Sequence, residues 1–136
     1  KLGWAPDLVH CHGWISSLVP LYLKKAYKDN PLFSELKVIV SVYDDGFTEK
    51  LSKDFAKKIK IEGITNKDLE YYKQPDYVNM IKSAIDYSDA VVIGNEKINK
   101  DIESYLGKID KPVLEYQSED DYIKAYNAFY DKILEQ

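Results

Sequence analysis

Asp7-Leu8-Val9-His10-Cys11-His12-Gly13-Trp14-Ile15-Ser16-Ser17-Leu18-Val19-Pro20 is the stretch that decides the fold. Residues 6–11, centred on Leu8 and Val9, form a short apolar run without alternation. Such a run reads as a strand covered on both faces. Gly13 permits a sharp exit. Beyond it, Leu18, Leu21, Tyr22 and Ala26 recur near helical spacing with Lys24, Lys25 and Lys28 outside, so a helix follows. Pro20 fits that helix only in its first turn or at a kink, and Asp29-Asn30-Pro31 ends it. A strand-to-helix turn of this kind is where α/β folds place ligands.

The rest of the chain repeats the unit. Lys37–Tyr43 (KVIVSVY) is rich in β-branched residues and predicts the clearest strand. Thr48 with Lys50 and Leu51 predicts a lysine-rich helix reaching about Ile59, and Thr65 or Asn66 a cap for a short helix through Tyr72. Asp76 is the expected N-cap of a helix over 77–87, with Val78, Ile81, Ala84 and Ile85 as its apolar stripe. Ala90–Ile93 is a third buried strand, 96–106 a helix stopped by Gly107, and 112–116 a short fourth strand. Ser118 with Asp121 has the spacing of a capping box for a last helix over 119–134. Tyr122, Ile123, Tyr126, Phe129, Tyr130 and Ile133 lie on that helix at helical spacing, for packing on the sheet in the first place and docking of a partner in the second. Alternating strands and helices imply an α/β class, a Rossmann-like parallel sheet flanked by helices. Residues 1–136 are expected to form one such domain, and four strands are few for it. The edge beside Pro6 needs a cover. Earlier strands of a larger domain, or a homodimer partner, would supply one.

Composition excludes several classes. The formal net charge is −4 and the lysines alternate with acids, against a phosphate-tracking nucleic-acid surface. No 18-residue apolar run exists to span a membrane. One cysteine forms no intrachain disulfide, and a cytoplasmic location is expected. The chain starts at Lys1 rather than Met, which leaves room for a preceding segment.

His10 and His12, at i and i+2 on a strand, face the same side. Two imidazoles without a third His or a second Cys make a poor zinc shell, so no metal is expected. Cys11 points to the opposite face and reads as a buried strand cysteine. The glycines stand singly, and neither dinucleotide nor P-loop fingerprints occur. At the strand ends His12, Trp14, Tyr43, Asp44, Gly94 and Asn95 fall along one rim. Aromatic faces stack on sugar C–H surfaces, and Asp and Asn bond hydroxyls, so the rim is either a sugar site or a set of ordinary turns. Lysines 50, 53, 57, 58 and 60 read as a solvated basic face.

Residues 7–15 followed by Leu18-Val19-Pro20-Leu21-Tyr22-Leu23 resemble the glycogen/starch synthase motif DVVHxHDWHxxLVPxYLK. Lys37–Asp44 follows the family's KTVFTIHN strand, and Val78–Lys82 through Asp89 its NFLKxGIxxAD segment. The similarity extends over roughly residues 4–105. It implies half of the N-terminal Rossmann-like domain of a GT-B glycosyltransferase, one that moves glucose from ADP-glucose or UDP-glucose to an α-1,4-glucan with no other cofactor. The motif is altered at its tip. Gly13 replaces its aspartate and Ile15 the histidine that contacts the transferred sugar. Tyr43, Asp44 and Gly94-Asn95-Glu96 replace its TIHN ending and its VSP, and KTGGL does not occur. His10, His12, Trp14, Asn79 and Lys82 are retained. The resemblance and the rim together give His12, Trp14, Tyr43, Asp44, Lys82 and Asn95 as candidate substrate-binding residues, with no catalytic residue assigned. The chain alone is expected to be inactive and to need a missing GT-B domain. The alternative is a non-catalytic domain that binds glucan or a partner.

Overall fold

A computed structural model describes residues 3–136. Its sheet has four strands, β1 (Leu8–His12), β2 (Lys37–Val42), β3 (Ala90–Ile93) and β4 (Val113–Leu114), all parallel and in the order β1-β2-β3-β4. Register pairs Val9 with Val38, Cys11 with Val40 and Val40 with Val91. The expected α/β Rossmann-like class is what forms. Among the described residues β1 is an edge, as the strand count implied.

The helices are α1 (Leu18–Leu21), α2 (Phe55–Lys58), α3 (Tyr77–Asp86), α4 (Lys100–Leu106) and α5 (Tyr122–Leu134). They divide unequally between the two faces. On one face Ile81, Ala84 and Ile85 of α3 and Ile102 and Leu106 of α4 pack against Cys11, Val38, Val40, Val42 and Val91. On the other, Phe129 and Ile133 of α5 cover Ile39, Ala90 and Val92, with Leu8 and Leu114 beside them. Strand alternation explains the division, because Val38 and Ile39 must face opposite layers and both are fully buried. A smaller cluster of Leu21, Ile59, Ile64, Leu69, Tyr72 and Met80 fills the space under the long β2–β3 connection.

Several expected boundaries move, each for a local reason. Pro20 lies in the first turn of α1, where its missing N–H costs nothing, and a single π turn over Tyr22–Ala26 continues the helix. The helix expected from Thr48 shrinks to α2, since the Leu51 N–H bonds the Pro75 carbonyl instead of an intrahelical one. The short helix expected to end near Tyr72 is a 3-10 turn at Tyr71–Lys73. Helix α4 starts at Lys100 and not at Glu96, because the Asn99 side chain accepts the Asp101 and Ile102 N–H groups and so fixes the cap there. The Ser118 side chain does not cap α5; its backbone carbonyl accepts the Asp121 and Tyr122 N–H groups, and the helix begins at Tyr122. Strand β4 keeps only two residues of the expected five. Asp76 does cap α3, accepting the Asn79 N–H at 2.9 Å.

Polar clamps hold the sheet's lower end. Asp89 accepts the Val38 N–H at 2.6 Å and pairs with Lys24 at 2.7 Å, tying the approach to β3 to β2 and to the first crossover. The Lys111 ammonium donates to the carbonyls of Ile85, Asp86 and Ser88 and so satisfies the exposed end of α3. Among the described residues no helix is long and apolar enough to cross a membrane.

Candidate functional site

Strands β1 and β2 end side by side, and their last residues build the site. His10 and His12 project from the same face of β1, and their rings stack at 4.2 Å between centroids. The two nitrogens of His10 meet the hydroxyls of Tyr130 and Ser41, each at 2.7 Å. Nδ1 of His12 meets the Tyr43 hydroxyl at 2.8 Å. Tyr43 packs against Gly94, so close that a Cβ there would approach its ring to 2.3 Å. Below Tyr43, the Asp44 N–H donates to Asn95 Oδ1 at 2.8 Å and joins the β2 and β3 turns. His12, Tyr43, Asp44, Gly94 and Asn95 thus share one rim, as the strand ends imply.

Trp14 belongs to the next layer of the same turn. Gly13 has φ +68° and ψ −179°, a conformation nearly confined to glycine. Trp14 then enters a 3-10 turn (Trp14–Ser16), and its ring packs edge-on against Phe47 at 4.8 Å. Phe47 in turn meets Tyr77 at 5.8 Å. Ile15, which stands at the motif's histidine position, is 83% exposed, and its side chain has no hydrogen-bonding group to offer the rim.

Lys82 does not join the rim. It lies on α3 with its ammonium 5.3 Å from the centre of the Tyr105 ring, beside the Tyr71 and Tyr105 hydroxyls that donate to Asp86. Asn79 uses its side-chain amide to hold the Gln74 carbonyl. Both motif residues serve the α3 surface here. The lysines at 50, 53, 57, 58 and 60 are exposed, as a solvated face requires.

Four participants escape sequence inspection. Asp45 reads as one more turn residue, Tyr77 as the first residue of a helix, Ser41 as a strand interior position and Tyr130 as helix packing. Only Asp45 carries a signal, an acid beside Gly46 facing a turn that has lost its own aspartate.

The electrostatics limit the chemistry. Burial, and then the neighbouring His12, push the His10 imidazole down to about 4. It is therefore neutral at pH 7, donating at one nitrogen and accepting at the other. Burial raises the Cys11 thiol to about 11, so it carries no thiolate near neutrality. Burial and then Asp45 hold the Tyr77 hydroxyl above its usual range. Among the described residues no three His, Cys, Asp or Glu side chains gather to hold a metal ion. What the rim offers is stacking faces and neutral or anionic hydrogen-bonding groups.

A pH dependence follows from His10. The unfolded imidazole takes its proton near 6.5 and the folded one near 4. Between those values the unfolded chain binds more protons, so stability is complete above about pH 6.5 and falls as pH drops toward 4. The partial exposure of His10 tempers the loss to about 1–2 kcal/mol, or roughly 4–8 °C in Tm. Asp68 acts in a lower window. Burial alone would raise its carboxyl, but hydrogen bonds from Thr65, Tyr87 and Lys25 outweigh that and hold it below the usual carboxylate range. Its contribution is lost only as pH falls below about 4. Thermal melts of the parent and His10→Asn from pH 7 to 4 check this: the parent's decline flattens in the variant, and parallel curves would contradict it.

Comparisons with known proteins fit this geometry. A glycogen synthase of Chlorobium phaeovibrioides is 29% identical over 107 residues, covering 79% of this chain and 21% of that protein. One of Clostridium perfringens is 28% identical over 112 residues, covering 79% and 23%. One of Chlorobium limicola is 33% identical over 89 residues, covering 65% and 18%. The chain thus spans about a fifth of the length of these relatives. The family model described as starch synthase catalytic domain matches residues 1–112, which takes in β1, β2, β3 and the whole rim but leaves β4 and α5 outside. On that match the chain belongs to the starch synthase catalytic domain family.

Proposed function

We propose that the chain is part of the N-terminal Rossmann-like domain of a glycogen or starch synthase, and that its rim holds α-1,4-glucan without transferring glucose on its own. The relatives' names support the substrate class. For the whole protein the reaction is glucosyl transfer from ADP-glucose or UDP-glucose to the glucan end, with a second GT-B domain supplying most of the nucleotide contacts.

One observation carries the division between binding and catalysis. The departing nucleoside diphosphate needs cationic or N–H donors aimed at its charge. The charged side chain in the rim's hydrogen-bond network is instead the Asp45 carboxylate, with Asp44 beside it, while Lys82 lies over Tyr105. A neutral glucan suits such a rim and a diphosphate does not. Trp14 and Tyr43 offer faces for stacking, and His12 offers a ring edge for sugar hydroxyls.

The test is a titration with maltoheptaose beside a transfer assay with radiolabelled ADP-glucose and UDP-glucose. Expected are no transfer and a dissociation constant on the order of 1 mM, only about 4 kcal/mol of binding. Trp14→Ala and His12→Ala each weaken it up to about ten-fold. Transfer by the isolated chain would overturn the non-catalytic part. Absence of binding, or affinity indifferent to both substitutions, would overturn the glucan part.

A further inference from the structure

We propose that Asp45 is the positioning residue of the Trp14 turn, supplying from the β2 loop a carboxylate to the turn in which the family motif carries its own aspartate at the position of Gly13. The inference rests on the sugar-rim reading only for its binding arm; its geometric part stands alone.

The Asp45 carboxylate bridges two elements. Oδ2 accepts the Trp14 backbone N–H at 3.0 Å, at the mouth of the 3-10 turn, where an N–H has no partner within the turn itself. The single proton of the Tyr77 hydroxyl is shared between the Tyr43 carbonyl at 2.7 Å and Asp45 Oδ1 at 3.1 Å. Tyr77 is 5% exposed and stands on α3, so the carboxylate is braced against a rigid helix. The same carboxylate fills the space a side chain at position 13 would need. A Cβ on Gly13 would come within 2.4 Å of Oδ2. The absent side chain at position 13 thus leaves the space that the Asp45 carboxylate fills.

The consequence is an anchored indole. Trp14 is fixed at its backbone by Asp45 and at its ring by Phe47, and Phe47 leans on Tyr77, the residue that braces Asp45. Removing the carboxylate frees one end of this circuit. Asparagine preserves it, since Oδ1 turned toward Trp14 accepts the N–H and the amide donates to the Tyr77 oxygen.

The experiment uses a Trp4→Phe background, which leaves Trp14 as the sole tryptophan of the two in the chain. Asp45→Ala is expected to red-shift the Trp14 emission, to open it to acrylamide quenching and to weaken maltoheptaose binding about ten-fold. Asp45→Asn keeps all three near the parent. Should Asp45→Ala not fold, Tyr77→Phe serves instead, because it removes the brace and keeps the carboxylate; a smaller red shift is expected. Unchanged emission and quenching in the folded variants overturn the positioning role. A spectral response in Asp45→Ala but not in Asp45→Asn supports it, even if no variant binds glucan, in which case the sugar reading fails and the positioning role stands.

Discussion

Phe129→Ala combined with Ile133→Ala is expected to abolish cooperative thermal unfolding at neutral pH. Phe129 is 6% exposed and Ile133 fully buried, and both press on Ile39, Ala90 and Val92. Each truncation costs about 2–5 kcal/mol in lost transfer energy and residual cavity. Together they approach the whole stability of a domain this size, about 5–15 kcal/mol. The effect is large because α5 alone packs on this face among the described residues, while α3 and α4 share the other. A sheet covered on one side only would expose a contiguous apolar surface and aggregate. Two controls come from the same helix. Ile123 and Leu134 are 62% and 45% exposed, so Ile123→Ala and Leu134→Ala should each move Tm by no more than a few degrees. Circular dichroism melts decide the matter. A cooperative transition in the double variant would mean that α5 does not hold the sheet.

That dependence also bears on the family. The match ends at residue 112, before β4 and α5, so the helix that closes the second face is outside what the chain shares with the family model. Through Tyr130 this helix also reaches His10, 120 residues away in sequence. The terminal segment thus seals the fold and contributes a hydroxyl directly behind the rim.

Much of this was legible in the residues because the signals were local or periodic. Val38-Ile39-Val40 and Ala90-Val91-Val92 are short, unbroken, largely β-branched apolar runs, which favour a strand buried on both faces. Strand parity put His10 and His12 together, and strand ends put Tyr43 beside Asn95. Asp76 announced α3 by its cap. Illegible were the features decided by tertiary partners. The backbone donor of Leu51 was diverted to Pro75, which no propensity of residues 48–59 reveals. Lys82 sits in a recognisable motif, yet its direction depends on how α3 turns toward Tyr105. Asp45 and Tyr77 lie 32 positions apart and meet only because α3 starts beneath the β2 loop. The turn's layout was therefore readable, but the group that organises it was not.

Gly94→Val is expected to cost about 2–3 kcal/mol and to detach Tyr43 from His12. No positive φ demands glycine at 94; the demand is steric. A Cβ there would lie 2.3, 2.6 and 2.9 Å from three atoms of the Tyr43 ring, all below any tolerable contact. The ring is only half-buried, so it can swing toward solvent, and valine's branches make that displacement obligatory. The ring then loses its contact over the β3 turn together with the hydrogen bond to His12 Nδ1. Tyr43→Phe separates the two contributions. It deletes the hydroxyl but keeps the ring, and should cost only about 0.5–1.5 kcal/mol. In a Tyr43→Ala background the obstruction is gone, so adding Gly94→Val should cost far less than it does in the parent. The difference is a coupling energy of about 1–2 kcal/mol, readable from urea midpoints in a double-mutant cycle. Additive costs would show that glycine at 94 serves the backbone alone. Strong coupling would mean that Gly94 is kept small so that Tyr43 can lie across the rim and hold its hydroxyl against His12.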